Sequence, residues 1–267
     1  MELFYRKIGI SGPPLIILHG LYGSSDNWIS VAKLLENHFE IFLIDQRNHG
    51  KSPHSNDFNY ELLSNDLFEF FAKHNIVKAS IIGHSMGGKA AMFFAKKYPE
   101  LINSLLIIDI APKNYQNIYS PELVTHNKII ETLLSINLNE LKSREQADEE
   151  MAKNIDSIKL RSFLLKNLHR NKNGNFEWLL NLKSISENFN NIADGFEKIE
   201  WENIEISGFP VLFVKGENSK YILDEDLLLI NKLFPATEIF ELSNTGHWLH
   251  AEKPNDLADK IISFILN

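Results

Sequence analysis

Short runs of consecutive apolar residues alternate with amphipathic stretches over the first 112 positions of the chain. Leu15–Leu18, Ile41–Ile44, Ser80–Ile82 and Leu105–Ile110 are brief, rich in Ile and Leu, and bounded by Gly, Pro, Asp or His. Runs of that length without alternation suit strands covered on both faces, as in a parallel sheet. Between them, Asn27–Glu36, Tyr60–His74 and Met86–Lys97 carry apolar residues at helical spacing, and Pro99 stops the last. Strand followed by helix, repeated, predicts an α/β fold. The rhythm breaks after Pro112. From Lys113 to Gly195 the spacing is helical throughout (Ile129, Ile130, Leu133, Leu134; Phe163, Leu164, Leu168; Trp178, Leu179) and no strand is evident. About 80 residues are too many for one crossover, so the stretch predicts an all-helical insertion. Strands return at Pro210–Lys215 and Glu238–Glu241, with helices at Glu225–Leu233 and Pro254–Leu266. The expected organisation is therefore a core built from residues 1–112 and 196–267, with 113–195 inserted into it.

Composition narrows the function more than the fold. Among 267 residues, 27 basic against 35 acidic side chains leave a formal charge of −8, which repels phosphate backbones and argues against nucleic acid as a partner. The absence of cysteine removes disulfides, thiolate metal sites and a Cys nucleophile together. No apolar run approaches the ~20 residues of a membrane helix, and MELFYRKIGI lacks the apolar core of a signal peptide. A cytoplasmic protein without a membrane partner is the expectation.

The chemistry concentrates at Gly83-His84-Ser85-Met86-Gly87. An apolar strand ends just before it and a helix begins at Met86. G-x-S-x-G in that setting is the nucleophile elbow of the α/β-hydrolase fold. A serine between strand and helix takes a strained backbone conformation to project its hydroxyl, and side chains two residues to either side would then collide. Ser85 is the expected nucleophile. An oxyanion needs two preorganised donors. The elbow supplies the N–H of Met86, and the Gly-bearing loop after the first strand, His19-Gly-Leu-Tyr-Gly-Ser24, supplies that of Leu21.

The order nucleophile, acid, histidine in such folds requires a base after Ser85 on a late loop. His126 and His169 fall in the insertion. Asn244-Thr-Gly-His247 is a turn just beyond a strand, which favours His247 over His250 at the start of the last helix. The acid is less regular. The loop after Pro210–Lys215 reads Gly216-Glu-Asn-Ser-Lys-Tyr-Ile222, with no aspartate near Asn218 or Ser219 and with Glu217 one residue early. Asn218 could orient an imidazole but not stabilise an imidazolium by charge. Asp109, in Leu105-Leu-Ile-Ile-Asp-Ile-Ala-Pro112, puts a carboxylate at an otherwise apolar strand end, where burial costs several kcal/mol unless it is paired. Asp109 is therefore favoured, with Glu217 as the alternative and Ser219 as a hydrogen-bonding neighbour of the His–Asp pair.

Four segments carry a closer likeness: His19-Gly-Leu-Tyr-Gly-Ser24, Asp45-Gln-Arg-Asn-His-Gly-Lys-Ser52, Ile82-Gly-His-Ser-Met-Gly-Gly-Lys89 and Ile108-Asp-Ile-Ala-Pro112. Asn244-Thr-Gly-His-Trp-Leu-His-Ala-Glu-Lys-Pro254 extends it. Through these the chain resembles the α/β-hydrolase superfamily along nearly its whole length, and within it the YbfF-like bacterial esterases and thioesterases. The resemblance implies a mostly parallel eight-stranded sheet flanked by helices, a helical cap over the site, and hydrolysis of a small-molecule acyl ester or thioester such as an acyl-CoA. It also supports Asp109 as the acid and Ser219 as its neighbour. Within the second segment, Arg47 is expected to tie loops through carboxylates and His49 to be structural.

The expected reaction is a two-step acyl transfer through a Ser-His-Asp triad and an acyl-enzyme. It calls for no metal or organic cofactor, and the sequence has no H-E-x-x-H. Two rivals use the same fold: a C–C bond hydrolase or cofactor-free lyase, which needs Arg or Lys aimed inward from the cap, and a non-catalytic ligand-binding member, which predicts a degraded triad. Epoxide hydrolases and haloalkane dehalogenases need aspartate where Ser85 stands.

Overall fold

The computed structural model describes residues 1–116, 121–194, 196, 201 and 204–266, with the backbone alone at 121–124. Its centre is a seven-stranded sheet. In chain order the strands are β1 (Tyr5–Ile8), β2 (Pro14–Leu18), β3 (Glu40–Ile44), β4 (Ala79–His84) and β5 (Ile102–Ile108), then, after a small hairpin of β6 (Leu168–Arg170) and β7 (Phe176–Trp178), β8 (Val211–Gly216) and β9 (Thr237–Leu242). The spatial order is β1-β3-β2-β4-β5-β8-β9. Only β1 runs antiparallel, against β3.

Successive strand residues feed opposite faces, as the two-residue period requires. Ile16, Leu18, Ile81, Leu105, Ile107 and Phe213 pack on one side with α2 (Tyr60–Lys73), α3 (Met86–Lys97) and α9 (Leu227–Leu233). Leu15, Ile17, Ile41, Leu43, Ile82, Leu106 and Val214 pack on the other with α1 (Ile29–Leu35) and α11 (Pro254–Leu266). In α11, Leu257, Ala258 and Ile261 are buried, three and four residues apart as one apolar face demands.

Two expectations need correction. The sheet has seven strands among the described residues, not eight. The chain before β1 is tied off by other bonds: the Phe4 N–H donates to Ser52 Oγ and the Phe4 carbonyl accepts from Asp45 N–H. Those two backbone groups are thereby engaged by a side chain and a loop. The stretch 113–195 is also not all-helical. It holds α4 (Pro121–Ser135), α5 (Arg144–Ala152), α6 (Ile158–Leu165), the β6–β7 hairpin, α7 (Leu182–Glu187) and α8 (Phe189–Ala193). Strands of three residues are too short to display alternation. They are held by their turn, where Asn171 and Asn175 pair through the backbone and Gly174 sits at φ 83°, and by packing of Leu168 and Phe176 on Ala147 of α5. The boundary placed at Gly195 lies outside the described residues.

Asparagines fasten this stretch to the loops at the carboxyl ends of the core strands. Asn167 Nδ2 donates to the Tyr22 carbonyl at 2.8 Å, and Asn48 exchanges hydrogen bonds with Asn181 and Ser184. Parallel strands place the loops after β2, β4, β5, β8 and β9 at one edge of the sheet, where α/β folds bind ligands. Among the described residues, no helix is long and apolar enough to cross a membrane.

Candidate active site

Ser85 stands between β4 and α3 with φ 52° and ψ −119°. A non-glycine residue held there costs about 1–3 kcal/mol and persists only where neighbours enforce it. They do. The Ser85 N–H donates to the Ile108 carbonyl at 3.0 Å, and its carbonyl accepts from Lys89 N–H at 3.1 Å. The flanking glycines are obligatory on distance alone. A Cβ on Gly83 would stand 2.3 Å from the Gly87 carbonyl oxygen, and one on Gly87 would stand 2.4 Å from that of Leu18.

The loop after β2 closes against this elbow. A Cβ on Gly20 would lie 2.9 Å from His84 Nδ1 and 3.1 Å from Ser85 Cβ, so Leu21, the next residue, is held beside the nucleophile candidate. Two buried histidines hold that loop in shape. His19 Nδ1 donates to the Gly20 carbonyl at 2.9 Å while its Nε2 accepts from Gln46 N–H at 3.0 Å. His49 Nδ1 donates to the Arg47 carbonyl at 2.9 Å while its Nε2 accepts from Tyr22 N–H at 3.3 Å. Accepting at Nε2 requires the neutral ring. Burial pushes His19 down to about 4 and His49 to about 3, the latter helped by neighbouring His19. Met86 is the first residue of α3, and the first N–H groups of a helix have no intrahelical acceptor. Arg47 forks onto Asp66 of α2 at 2.6 and 2.8 Å and reaches the Asp57 carbonyl at 3.1 Å; it ties its loop to a helix through a carboxylate and to a second loop through a carbonyl.

On the other side of the elbow, Asp109 follows the end of β5, turns off the strand with φ 51° and donates its N–H to the Val214 carbonyl at 2.8 Å. Its carboxylate is fully buried and fully engaged. Oδ1 accepts from Gly216 N–H at 3.0 Å. Oδ2 accepts from the Ser219 hydroxyl and from His247 Nδ1, the latter at 2.7 Å. With Nδ1 donating, the lone pair of His247 sits on Nε2. Glu217 is exposed and accepts the Asn244 N–H at 2.6 Å. The carboxylate bonded to His247 is thus Asp109. Asn218 bonds the Thr245 carbonyl through its backbone N–H at 2.9 Å.

Three side chains around His247 carried no signal in the sequence reading. His84, buried and held well below the usual histidine range by that burial and by His247 and His250 nearby, donates from Nε2 to the His247 carbonyl at 2.8 Å. Tyr221 stacks on the His247 ring at 3.9 Å and 22°. His126, from α4, meets the Tyr221 hydroxyl at 3.2 Å. A fourth, Lys89, lies one turn beyond Ser85 on α3 and is buried, with Nζ donating at 2.8 Å to the carbonyls of Ala193 and Asp194. Its i+4 spacing from Ser85 was readable; its environment was not. His250, set aside as structural, stacks on Trp28 at 4.7 Å.

Two cavities meet at Ser85. One, of about 130 Å³, is bordered by Ser85, His247, Trp248, Leu160 and Phe163 among others. The second, of about 50 Å³, is bordered by Ser85, Met86, Lys89, Tyr115, Phe189 and Ile192 among others. Both share Leu21, His126 and Tyr221. Residues expected from sequence to cooperate are therefore brought together: Ser85, Met86 and Leu21 at the elbow, and His247, Asp109 and Ser219 in one hydrogen-bonded set. A seryl hydroxyl beside backbone donors and a carboxylate-oriented imidazole is equipped for nucleophilic attack on an acyl carbonyl.

The chain is similar to known proteins along nearly its whole length. The family model described as alpha/beta hydrolase fold matches residues 13–254. The sn-1-specific diacylglycerol lipase ABHD11 of Danio rerio is 37% identical over 94% of the chain and 78% of its own length. Esterase YbfF of Escherichia coli K12 is 33% identical over 91% of the chain and 89% of its own length. Among solved structures, a marine microorganism esterase superposes with a TM-score of 0.94 at 47% identity, covering 98% of this chain and 99% of that one.

Proposed function

The chain belongs to the α/β-hydrolase fold family, and on that premise we propose that it is a serine hydrolase of carboxylic esters and acyl thioesters, working through a Ser85-His247-Asp109 triad and an acyl-enzyme. The observation that carries the reading is the 2.7 Å bond from His247 Nδ1 to the buried Asp109 carboxylate, beside a serine in a strained elbow. The names of the relatives, esterase and lipase, support ester chemistry.

In the proposed reaction His247 Nε2 takes the Ser85 proton as Oγ bonds to the acyl carbon. The carbonyl π electrons move onto oxygen, and the Leu21 and Met86 N–H groups bind the oxyanion. Collapse breaks the bond to the alkoxide or thiolate, which leaves with the proton from His247. Water, deprotonated by the same nitrogen, repeats the sequence and frees Ser85 and the carboxylic acid. Asp109 keeps the imidazole in the required tautomer and stabilises the imidazolium. The insertion 113–195 serves as a cap, since α4 borders both cavities, α6 walls the larger and α8 the smaller. A C–C hydrolase or lyase needs a cation turned to a substrate carboxylate. Lys89, which borders the smaller cavity, gives hydrogen bonds to two carbonyls instead, and the ester reading is preferred.

The test is turnover of p-nitrophenyl butyrate and butyryl-CoA by wild type and Ser85→Ala. Wild type is expected to hydrolyse both, and the variant to lose at least ~10³-fold in kcat. Equal turnover by the two proteins would overturn the assignment of the nucleophile.

A further inference from the structure

Residues that border only one of the two cavities at Ser85 decide how a substrate lies. His247 borders only the larger; Met86 and Lys89 border only the smaller. In the acyl transfer proposed above, on which this inference rests, the leaving oxygen or sulfur must reach His247 to receive its proton. The leaving group therefore extends into the cavity of His247, Trp248, Leu160 and Phe163. With the oxyanion turned to Leu21 and Met86, the remaining substituent, the acyl chain, points into the other.

We infer that the smaller cavity is the acyl pocket and that it selects short acyl chains. It runs along α3 from Ser85 to Lys89, one helical turn or ~6 Å. Beyond Lys89 the same face of α3 presents Phe93, which stacks on Tyr60 at 5.1 Å. Lys89 is fixed there by the Ala193 and Asp194 carbonyls and lies 4.7 Å from the Tyr115 ring centre. An apolar cavity of about 150 Å³ takes up benzene, six carbons; about 50 Å³ scales to about two beyond the carbonyl. The larger cavity, about 130 Å³, scales to about five carbons of leaving group on the same basis. The substrate class is thus a short-chain acyl ester or thioester whose leaving group is bulkier than its acyl chain.

The experiment is the ratio of kcat/KM for p-nitrophenyl acetate, butyrate, octanoate and palmitate, measured for wild type, Ile192→Ala, Ile192→Phe and Phe163→Ala. Wild type is expected to lose at least tenfold between butyrate and octanoate. Ile192→Ala should raise the octanoate-to-acetate ratio at least fivefold, and Ile192→Phe should lower the butyrate-to-acetate ratio by a similar factor. Phe163→Ala should leave all acyl ratios within twofold while changing the ratio of ethyl to naphthyl butyrate turnover. A wild-type profile peaking at octanoate or longer, or an acyl profile that follows Phe163 and ignores both Ile192 variants, would overturn the assignment. Failure of the underlying reading looks different: no ester of any length would be turned over in a Ser85-dependent way. Because one Ile192 variant widens and the other narrows, misfolding of either leaves the other to decide.

Discussion

The Asp109 carboxylate is stripped of water, so its charge persists only through the hydrogen bonds from Gly216, Ser219 and His247. Asp109→Asn keeps the shape and removes the charge. Its amide can also turn an N–H toward His247 Nδ1, which forces the proton onto Nε2, the nitrogen that should accept from Ser85. A fall in kcat of ~10³–10⁴-fold is expected. Glu217→Gln should stay within threefold, because Glu217 is exposed and serves the Asn244 turn. Parallel kcat measurements on the two variants check this, and collapse of Glu217→Gln alone would mean that the acid is misassigned. This part of the site was legible because a lone acid in an apolar strand end is chemically conspicuous. Tyr221 and His84 were not legible. Their roles come from the stacking on His247 and the bond to its carbonyl, contacts across 26 and 163 residues of sequence respectively, which no local pattern encodes.

Secondary elements obeyed their periodicity wherever they were long. α2, α3 and the core strands fall within a few residues of the apolar runs that predict them. The hairpin β6–β7 escaped because three residues cannot alternate visibly, although the Asn173-Gly174 turn chemistry was present. β1 escaped because Tyr5-Arg-Lys-Ile8, a half-exposed edge strand, has no apolar run to find. Between elements, Lys89 is the notable joint. It fixes α3, the helix that follows Ser85, to the carboxyl end of α8, where a cation also meets the helix dipole favourably. Lys89→Met would leave the Ala193 and Asp194 carbonyls without that donor, at about 1–3 kcal/mol for each such group that stays buried. A loss of ~2–4 kcal/mol in unfolding free energy is expected from urea titration. A change below ~0.5 kcal/mol would show that the joint carries no stability.

Over the whole molecule, an acid limit follows from histidines kept neutral inside. Burial places His19 and His126 at about 4, and His49 and His250 at about 3, against ~6.5 in an unfolded chain. Between those values the unfolded state binds protons that the folded state refuses, so stability rises with pH across the window. The contribution is fully present above pH ~6.5 and is lost as pH falls toward 4. Each such group supplies at most ~1.4 kcal/mol per pH unit; these four and His84, which burial also holds well below the usual range, together supply at most ~7 over one pH unit, comparable to the whole stability of a typical domain. The melting temperature should therefore be flat from pH 8 to 7 and fall steeply from 6.5 toward 5. The loss has a structural address. Protonation of His19 or His49 puts a hydrogen on the Nε2 that now accepts from Gln46 or Tyr22, so the loop carrying Leu21 is pushed apart as the core is strained. His49→Gln, whose side-chain oxygen can accept the Tyr22 N–H without titrating, should flatten the slope between pH 6.5 and 5 by about a fifth in thermal melts. An unchanged slope in that variant would place the acid sensitivity elsewhere than in His49 beneath the loop carrying Leu21.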